Sequence, residues 1–102
     1  MTRIAILGTG LIGASIGLAL RNHAEMNDIE IVGFDANRER EREAERRNAI
    51  DKRERGLRRA AEGAALVVVS TPVLAIREVL EEISGVLMEG AIVTDTGSTK
   101  AQ

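Results

Sequence analysis

The feature that most constrains this chain is Gly8-Thr9-Gly10-Leu11-Ile12-Gly13, a G-x-G-x-x-G run. Six-residue patterns recur by chance, so its neighbours decide what it means. It follows directly on residues 3–8, Arg-Ile-Ala-Ile-Leu-Gly, an apolar run of the kind that forms a strand buried on both faces. It opens a helical pattern in which Ile12, Ile16, Ala19 and Leu20 share one face. A strand that turns into a helix across three such glycines reads as a phosphate cradle. Gly8 allows the tight turn, Gly10 lets a diphosphate reach the backbone, and Gly13 lets the helix pack on the strand. The amides near Leu11 and Ile12 then face the anion with the positive end of the helix dipole. Gly13 and Gly17 stand four apart, so that helix face can approach another backbone closely. The alternative is that the glycines serve only tight strand–helix packing.

The rest of the chain repeats the alternation. Asn27-Asp28 reads as a turn, and residues 29–34 (Ile-Glu-Ile-Val-Gly-Phe) form a second strand closed by Asp35. A helix is expected over 38–47, though a weak one, since only Ala44 is apolar there. Opposite charges recur at i,i+3 (Arg40/Glu43, Glu43/Arg46), while some i,i+4 pairs are alike (Arg38/Arg42, Glu41/Glu45). Asn48 suits a left-handed stop. Residues 49–51 are read as a short edge strand and 55–62 as one or two helical turns. Residues 64–70 form a continuous β-branched strand, stopped by Thr71-Pro72. Val73, Ile76, Val79, Leu80 and Ile83 mark an amphipathic helix with Glu78, Glu81 and Glu82 on its wet side. Residues 91–95 are the last strand. This order predicts one α/β domain over residues 1–102: a Rossmann-like, doubly wound parallel sheet of four main strands plus a short edge strand. Right-handed crossovers put the loops after the strands at one end of the sheet, and a ligand belongs there.

Composition narrows the chemistry. The 102 residues include no cysteine, one histidine (His23) and one aromatic (Phe34). That excludes disulfides, thiol catalysis, Cys-based and His-cluster metal sites, and ring-stacking nucleic-acid modules. No apolar run nears the roughly 20 residues of a membrane span, and glycines break the only N-terminal apolar stretch. A cytoplasmic chain without a membrane partner is expected. Net charge is −2, yet residues 37–60 carry ten basic and six acidic side chains, a local +4 that leaves −6 elsewhere. Because the signs interleave, a solvated, self-compensating surface is favoured over a nucleic-acid partner.

Four groups of residues remain as candidates. Asp35 stands 22 residues after Gly13, where the fingerprint places an acid on the adenosine ribose, about 20 residues on. A carboxylate there repels a 2′-phosphate, so NAD is favoured over NADP. Arg38 argues the other way, since it can swing toward such a phosphate, and Asp35 can also simply cap the next helix. Ser70-Thr71-Pro72 ends a strand and should line the cofactor groove, with Pro72 equally suited to start the next helix. Asp95-Thr96-Gly97-Ser98-Thr99-Lys100 ends the last strand at the same rim. Its hydroxyls and cation lie near where a nicotinamide and an anionic substrate would meet, although composition alone favours a plain polar loop. His23 lies about 15 Å from the glycine loop at 1.5 Å per residue, so it reads as a helix C-terminal cation rather than a base.

Taken together, the motifs resemble those of prephenate and arogenate dehydrogenases. The resemblance runs through residues 4–20, Val32-Gly33-Phe34-Asp35, Ala49-Ile50-Asp51, Leu66 to Val73, and Val93 to Lys100, in order and with similar spacing. The last of these is the most specific. It implies the nucleotide-binding domain of an enzyme that oxidatively decarboxylates prephenate to 4-hydroxyphenylpyruvate in tyrosine biosynthesis. It implies Gly8, Gly10 and Gly13 on the diphosphate, Asp35 on the ribose, and Thr71 and Pro72 beside the cofactor; by position Thr9, Leu11 and Ile12 join the phosphate loop, and Ser70 and Thr96 the groove. It also implies Ser98 as an active-site serine near the substrate hydroxyl. Two departures stand out. First, the family's catalytic histidine lies in a Gly-His-Pro segment that these residues do not contain, and the family's helical substrate and dimerisation domain is not among them either. The expectation is therefore a truncated domain that binds NAD and does not catalyse alone, with small-molecule substrate bound only alongside the missing domain. Second, Glu41, Glu45 and Arg47 stand where the family carries leucines toward the sheet, so the helix should be short, displaced, or packed through alkyl stems. Surfaces near 91–93 and on the helix 73–83 are expected to be exposed and to support homo-oligomer contacts. The alternatives are a stand-alone dinucleotide-binding or regulatory module and the cofactor half of another Rossmann dehydrogenase.

Overall fold

A computed structural model describes residues 2–22, 28–71 and 73–96. Among the described residues five strands and four helices alternate: β1 (Thr2–Leu7), α1 (Leu11–Arg21), β2 (Ile29–Phe34), α2 (Arg38–Arg46), β3 (Lys52–Arg53), α3 (Leu57–Ala61), β4 (Leu66–Val69), α4 (Val73–Ile83) and β5 (Ile92–Asp95). The strands form one parallel sheet in the order β3-β2-β1-β4-β5. The chain moves from β1 outward to β3, then returns across β1 to β4. That reversal, between β1 and β4, is the topological switch point.

Side-chain alternation along β1 divides the core. Ile4 and Ile6 meet Ile31, Val68, Ala44, Ala49 and Ile50 on the face covered by α1 and α2. Ala5 and Leu7 meet Val32, Val67, Val69, Ala60, Ala61, Val79 and Ile83 on the face covered by α3 and α4. Both faces of the central strands are therefore dry, which is why they read as continuous apolar runs. The paired glycines work as expected: a Cβ on Gly17 would stand 3.0 Å from the Ala49 carbonyl carbon. Asn48 takes φ 64°, the left-handed stop that its side chain tolerates.

Three expectations need correction. The short edge strand is Lys52–Arg53, not residues 49–51. Ala49 still donates to the Ala44 carbonyl (2.9 Å) as part of the stop of α2. Asp51 then uses its side chain as well as its backbone on Ile31, so regular pairing with Val32 begins one residue later. Ala19 is exposed, whereas Gly13 and Gly17 form the closest face of α1. Among its described side chains the helix α4 buries Val79 and Ile83 and turns charged residues outward, whereas Ile92 on β5 is 63% exposed and Met88 46%. Among the described residues no helix is long and apolar enough to cross a membrane.

Candidate functional site

The carboxyl ends of β1, β2 and β4 converge on the glycine loop. Gly8 adopts φ 99°, open only to glycine without strain, and donates to the Phe34 carbonyl (2.7 Å). A Cβ there would meet the Ser70 carbonyl and the Thr71 nitrogen at 2.9 Å. Gly13 is tighter still: its Cβ would fall 2.7 Å from Ser70 Oγ and well inside 3.0 Å of the Gly8 carbonyl oxygen. The Ser70 hydroxyl donates to that same Gly8 carbonyl and lies 3.4 Å from the Leu7 carbonyl. Ser70 thus pins the loop, a role its position after β4 does not reveal.

Gly10 differs from its neighbours. The space beside it is open: nothing lies nearer to a Cβ built there than Arg40 Cδ at 4.0 Å. Packing does not require glycine here, and the bare backbone leaves this face of the loop open. Gly10 is also the N-cap of α1, no side chain caps that helix, and its first turn holds no acid. The amides of that turn, which includes Leu11 and Ile12, are therefore left for an anion. A cleft of about 210 Å³ opens beside it, lined by Thr9, Gly10 and Ala14 on one side and Arg40, Glu43, Ala44 and Arg47 on the other. That is small against the roughly 300–1,000 Å³ of an enclosed ligand pocket. The site is an open groove.

Asp35 follows β2 and bonds the glycine loop at Thr9. It is 7% exposed. One carboxylate oxygen accepts from the Thr9 amide (2.8 Å) and the Thr9 hydroxyl (3.3 Å), and the other from the Asn37 amide (2.7 Å). Three of about four lone-pair positions are thus taken by the protein. Asp35 ties the glycine loop to the start of α2, while Asn37 Oδ1 caps that helix through Glu39 N (2.9 Å) and Arg40 N (3.2 Å). The expected contest between Asp35 and capping is resolved by dividing the work: Asn37 is the cap.

The weak helix is held by an unexpected residue. Glu41 is fully buried, and its Oε2 accepts from the Asp35 amide (2.9 Å). Its Oε1 has no hydrogen-bond partner among the described residues and lies 3.7 Å from Arg38 Nε. Glu45 and Arg47 stay at the surface, paired with Arg53 (3.1 Å) and Glu43 (2.8 Å). The expected Glu43–Arg46 pair forms at 2.6 Å. The signal for Glu41 is its spacing, three residues before the one apolar residue of the helix, Ala44.

The structure therefore gathers Gly8, Thr9, Gly10, Gly13, Asp35, Ser70 and Thr71 at one rim. Arg38 stands at the first turn of α2, half exposed. Thr71 Oγ1 is buried without a hydrogen-bond partner among the described residues, so the rim keeps an unfilled polar position. Thr96 donates its amide to the Val69 carbonyl (3.0 Å), which sets it beside the end of β4. Pro72, Ser98 and His23 lie outside the described residues. An open Gly10, an uncapped helix start and an orphaned Thr71 hydroxyl fit a dinucleotide.

Comparison with known proteins agrees. Residues 16–102 match the family model described as prephenate dehydrogenase, nucleotide-binding domain. The chain is 36% identical over 104 residues to a prephenate dehydrogenase of Lactococcus lactis, covering 100% of this chain and 28% of that protein. It superposes on the crystal structure of prephenate dehydrogenase from A. aeolicus in complex with hydroxyphenyl propionate and NAD+ with a TM-score of 0.82 and 31% identity, covering 96% of this chain and 34% of that one. Synechocystis arogenate dehydrogenase gives a TM-score of 0.79 and 29% identity, covering 92% of this chain and 32% of that one. The chain thus spans about a third or less of each of these proteins. Fold, glycine loop and sequence together place the chain in the prephenate dehydrogenase family, as its nucleotide-binding domain.

Proposed function

We propose that this chain is the NAD-binding part of an oxidoreductase that acts on prephenate or arogenate. The observation that carries the reading is the empty space above Gly10, at an uncapped helix start, beside the buried Asp35 carboxylate. The amides near Leu11 and Ile12 take the diphosphate. Asp35 offers its remaining acceptor position to the ribose and disfavours a 2′-phosphate by like charge, so NAD is chosen over NADP. Thr9 and Ser70 hold the loop in shape, and Thr71, Pro72 and Thr96 flank the groove. Ser98, assigned by resemblance, stands near the substrate hydroxyl. When bound, the dinucleotide supplies a hydride acceptor. This reading carries with it a place in tyrosine biosynthesis and in the cytoplasm.

The 102 residues alone hold one histidine, His23, which follows α1 in sequence rather than the glycine loop. Histidine is the side chain whose ordinary pKa suits a base at neutral pH, and none of the rim residues named above is one. We therefore expect NAD binding without turnover of prephenate by these residues alone. Calorimetric titration with NAD, paired with a prephenate turnover assay, tests both halves. Absence of binding removes the first, and turnover removes the second.

A further inference from the structure

Among the described residues, one buried charged group is not used by cofactor binding as proposed. Glu41 is fully enclosed in the layer between α2 and the sheet. It touches both Asp35 and Arg38, the two residues read from the sequence as candidates for the adenosine ribose. Through Oε2 it accepts the Asp35 amide at 2.9 Å. Through Oε1 it faces Arg38 Nε at 3.7 Å, and that oxygen has no hydrogen bond among the described residues. Arg38 is thus the cation set against a buried carboxylate oxygen that no hydrogen bond satisfies.

From this geometry we infer that Glu41 is a positioning residue that sets dinucleotide choice by withholding Arg38 from a 2′-phosphate. The inference rests on the proposed NAD site and adds a residue to it. For Arg38 to serve a phosphate on the adenosine ribose, its guanidinium must leave Glu41. That strands a carboxylate oxygen with no hydrogen bond in a site closed to water. Taking a cation away from a buried carboxylate is unfavourable, because the charge left behind is uncompensated. Asp35 repels the phosphate directly, whereas Glu41 withholds one cation that would offset that repulsion; Arg40 and Arg47, which line the cleft, are unchanged in every variant. An apolar residue at position 41 would leave Arg38 free to turn outward from the first turn of α2.

The test is calorimetric affinity for NAD and NADP, with thermal unfolding as a check that each variant is folded. Glu41→Gln keeps an acceptor for the Asp35 amide and removes the charge. Glu41→Leu also removes the charge and fills the site with an apolar side chain. Both variants are expected to raise the NADP-to-NAD affinity ratio by roughly fivefold, the scale of one charge pair about 4 Å apart in water. Adding Arg38→Ala to Glu41→Gln should erase that gain. A purely structural role for Glu41 would lower both affinities together and leave the ratio unmoved. The inference is overturned if either folded variant keeps the wild-type ratio, or if the gain persists without Arg38. A wild-type chain that binds NAD while these ratios stay fixed overturns this inference alone; one that binds neither dinucleotide overturns the proposed NAD site as well.

Discussion

Gly13→Ala should weaken the fold, although alanine is the better helix former. On propensity alone, replacing glycine inside α1 gains about 1 kcal/mol. The structure opposes this. The new Cβ would stand 2.7 Å from Ser70 Oγ and closer still to the Gly8 carbonyl oxygen. Reaching ordinary van der Waals separation requires a shift of roughly 1 Å. The Gly8 oxygen is backbone and is held by the Ser70 hydroxyl, so it gives little. Overpacking against such an obstacle costs about 3 kcal/mol, the upper end of the usual range. The net loss is about 2 kcal/mol, and at about 4–8 °C per kcal/mol for a small domain the midpoint falls by roughly 8–16 °C. Thermal unfolding followed by far-ultraviolet circular dichroism measures it. Gly85→Ala is the control, since nothing lies within 4 Å of its added methyl. A Gly13→Ala chain that melts at or above the wild-type midpoint refutes the close-packing reading of that glycine.

Ser70→Ala should destabilise by about 1 kcal/mol, the ordinary worth of one hydrogen bond, and should lower NAD affinity through the loosened loop; unchanged stability and affinity would show that Ser70 does not pin Gly8. Asp51 links acid stability to α1. Burial works against its ionisation, but the Arg21 guanidinium beside it and the Ile31 amide outweigh burial and hold its carboxyl below the ordinary 3.8. Because the folded value is the lower one, this contribution is present above pH 3.8 and is lost as pH falls through the folded value. Asp51→Asn should therefore lower stability at neutral pH and flatten the acid limb of the stability curve, and an acid limb identical to wild type would contradict the assignment.

Much of this arrangement is legible in the residues. The central strands announce themselves because both faces are buried, so 4–8, 31–34 and 64–69 read as unbroken apolar runs. Asn48 and the paired glycines of α1 declare their backbone requirements directly. Less visible are the groups whose role depends on partners far along the chain. Ser70 meets Gly8 across 62 residues, and Asp35 meets Thr9 across 26. Their types and positions indicate a rim but not which hydrogen bonds they spend there. The edge strand is displaced because Asp51 pairs through its side chain before the ladder begins, which no periodicity encodes. Glu41 is the clearest case. Its position marks a sheet-facing side chain, shared with Glu45 and Arg47, but nothing in the run of charges shows that Glu41 alone is buried, on the Asp35 amide.

The most direct test of a dinucleotide cradle is Gly10→Ala, titrated with NAD and melted in parallel. Gly10 has φ −69° and ψ −163°, extended backbone that alanine adopts, and its Cβ would have no neighbour nearer than 4.0 Å. The fold should lose no more than about 1 kcal/mol, the ordinary difference between these residues at an N-cap. NAD affinity should fall at least about tenfold, or some 1.4 kcal/mol, because the methyl occupies the approach to the loop. A folded Gly10→Ala chain that binds NAD as tightly as the wild type would contradict the cradle.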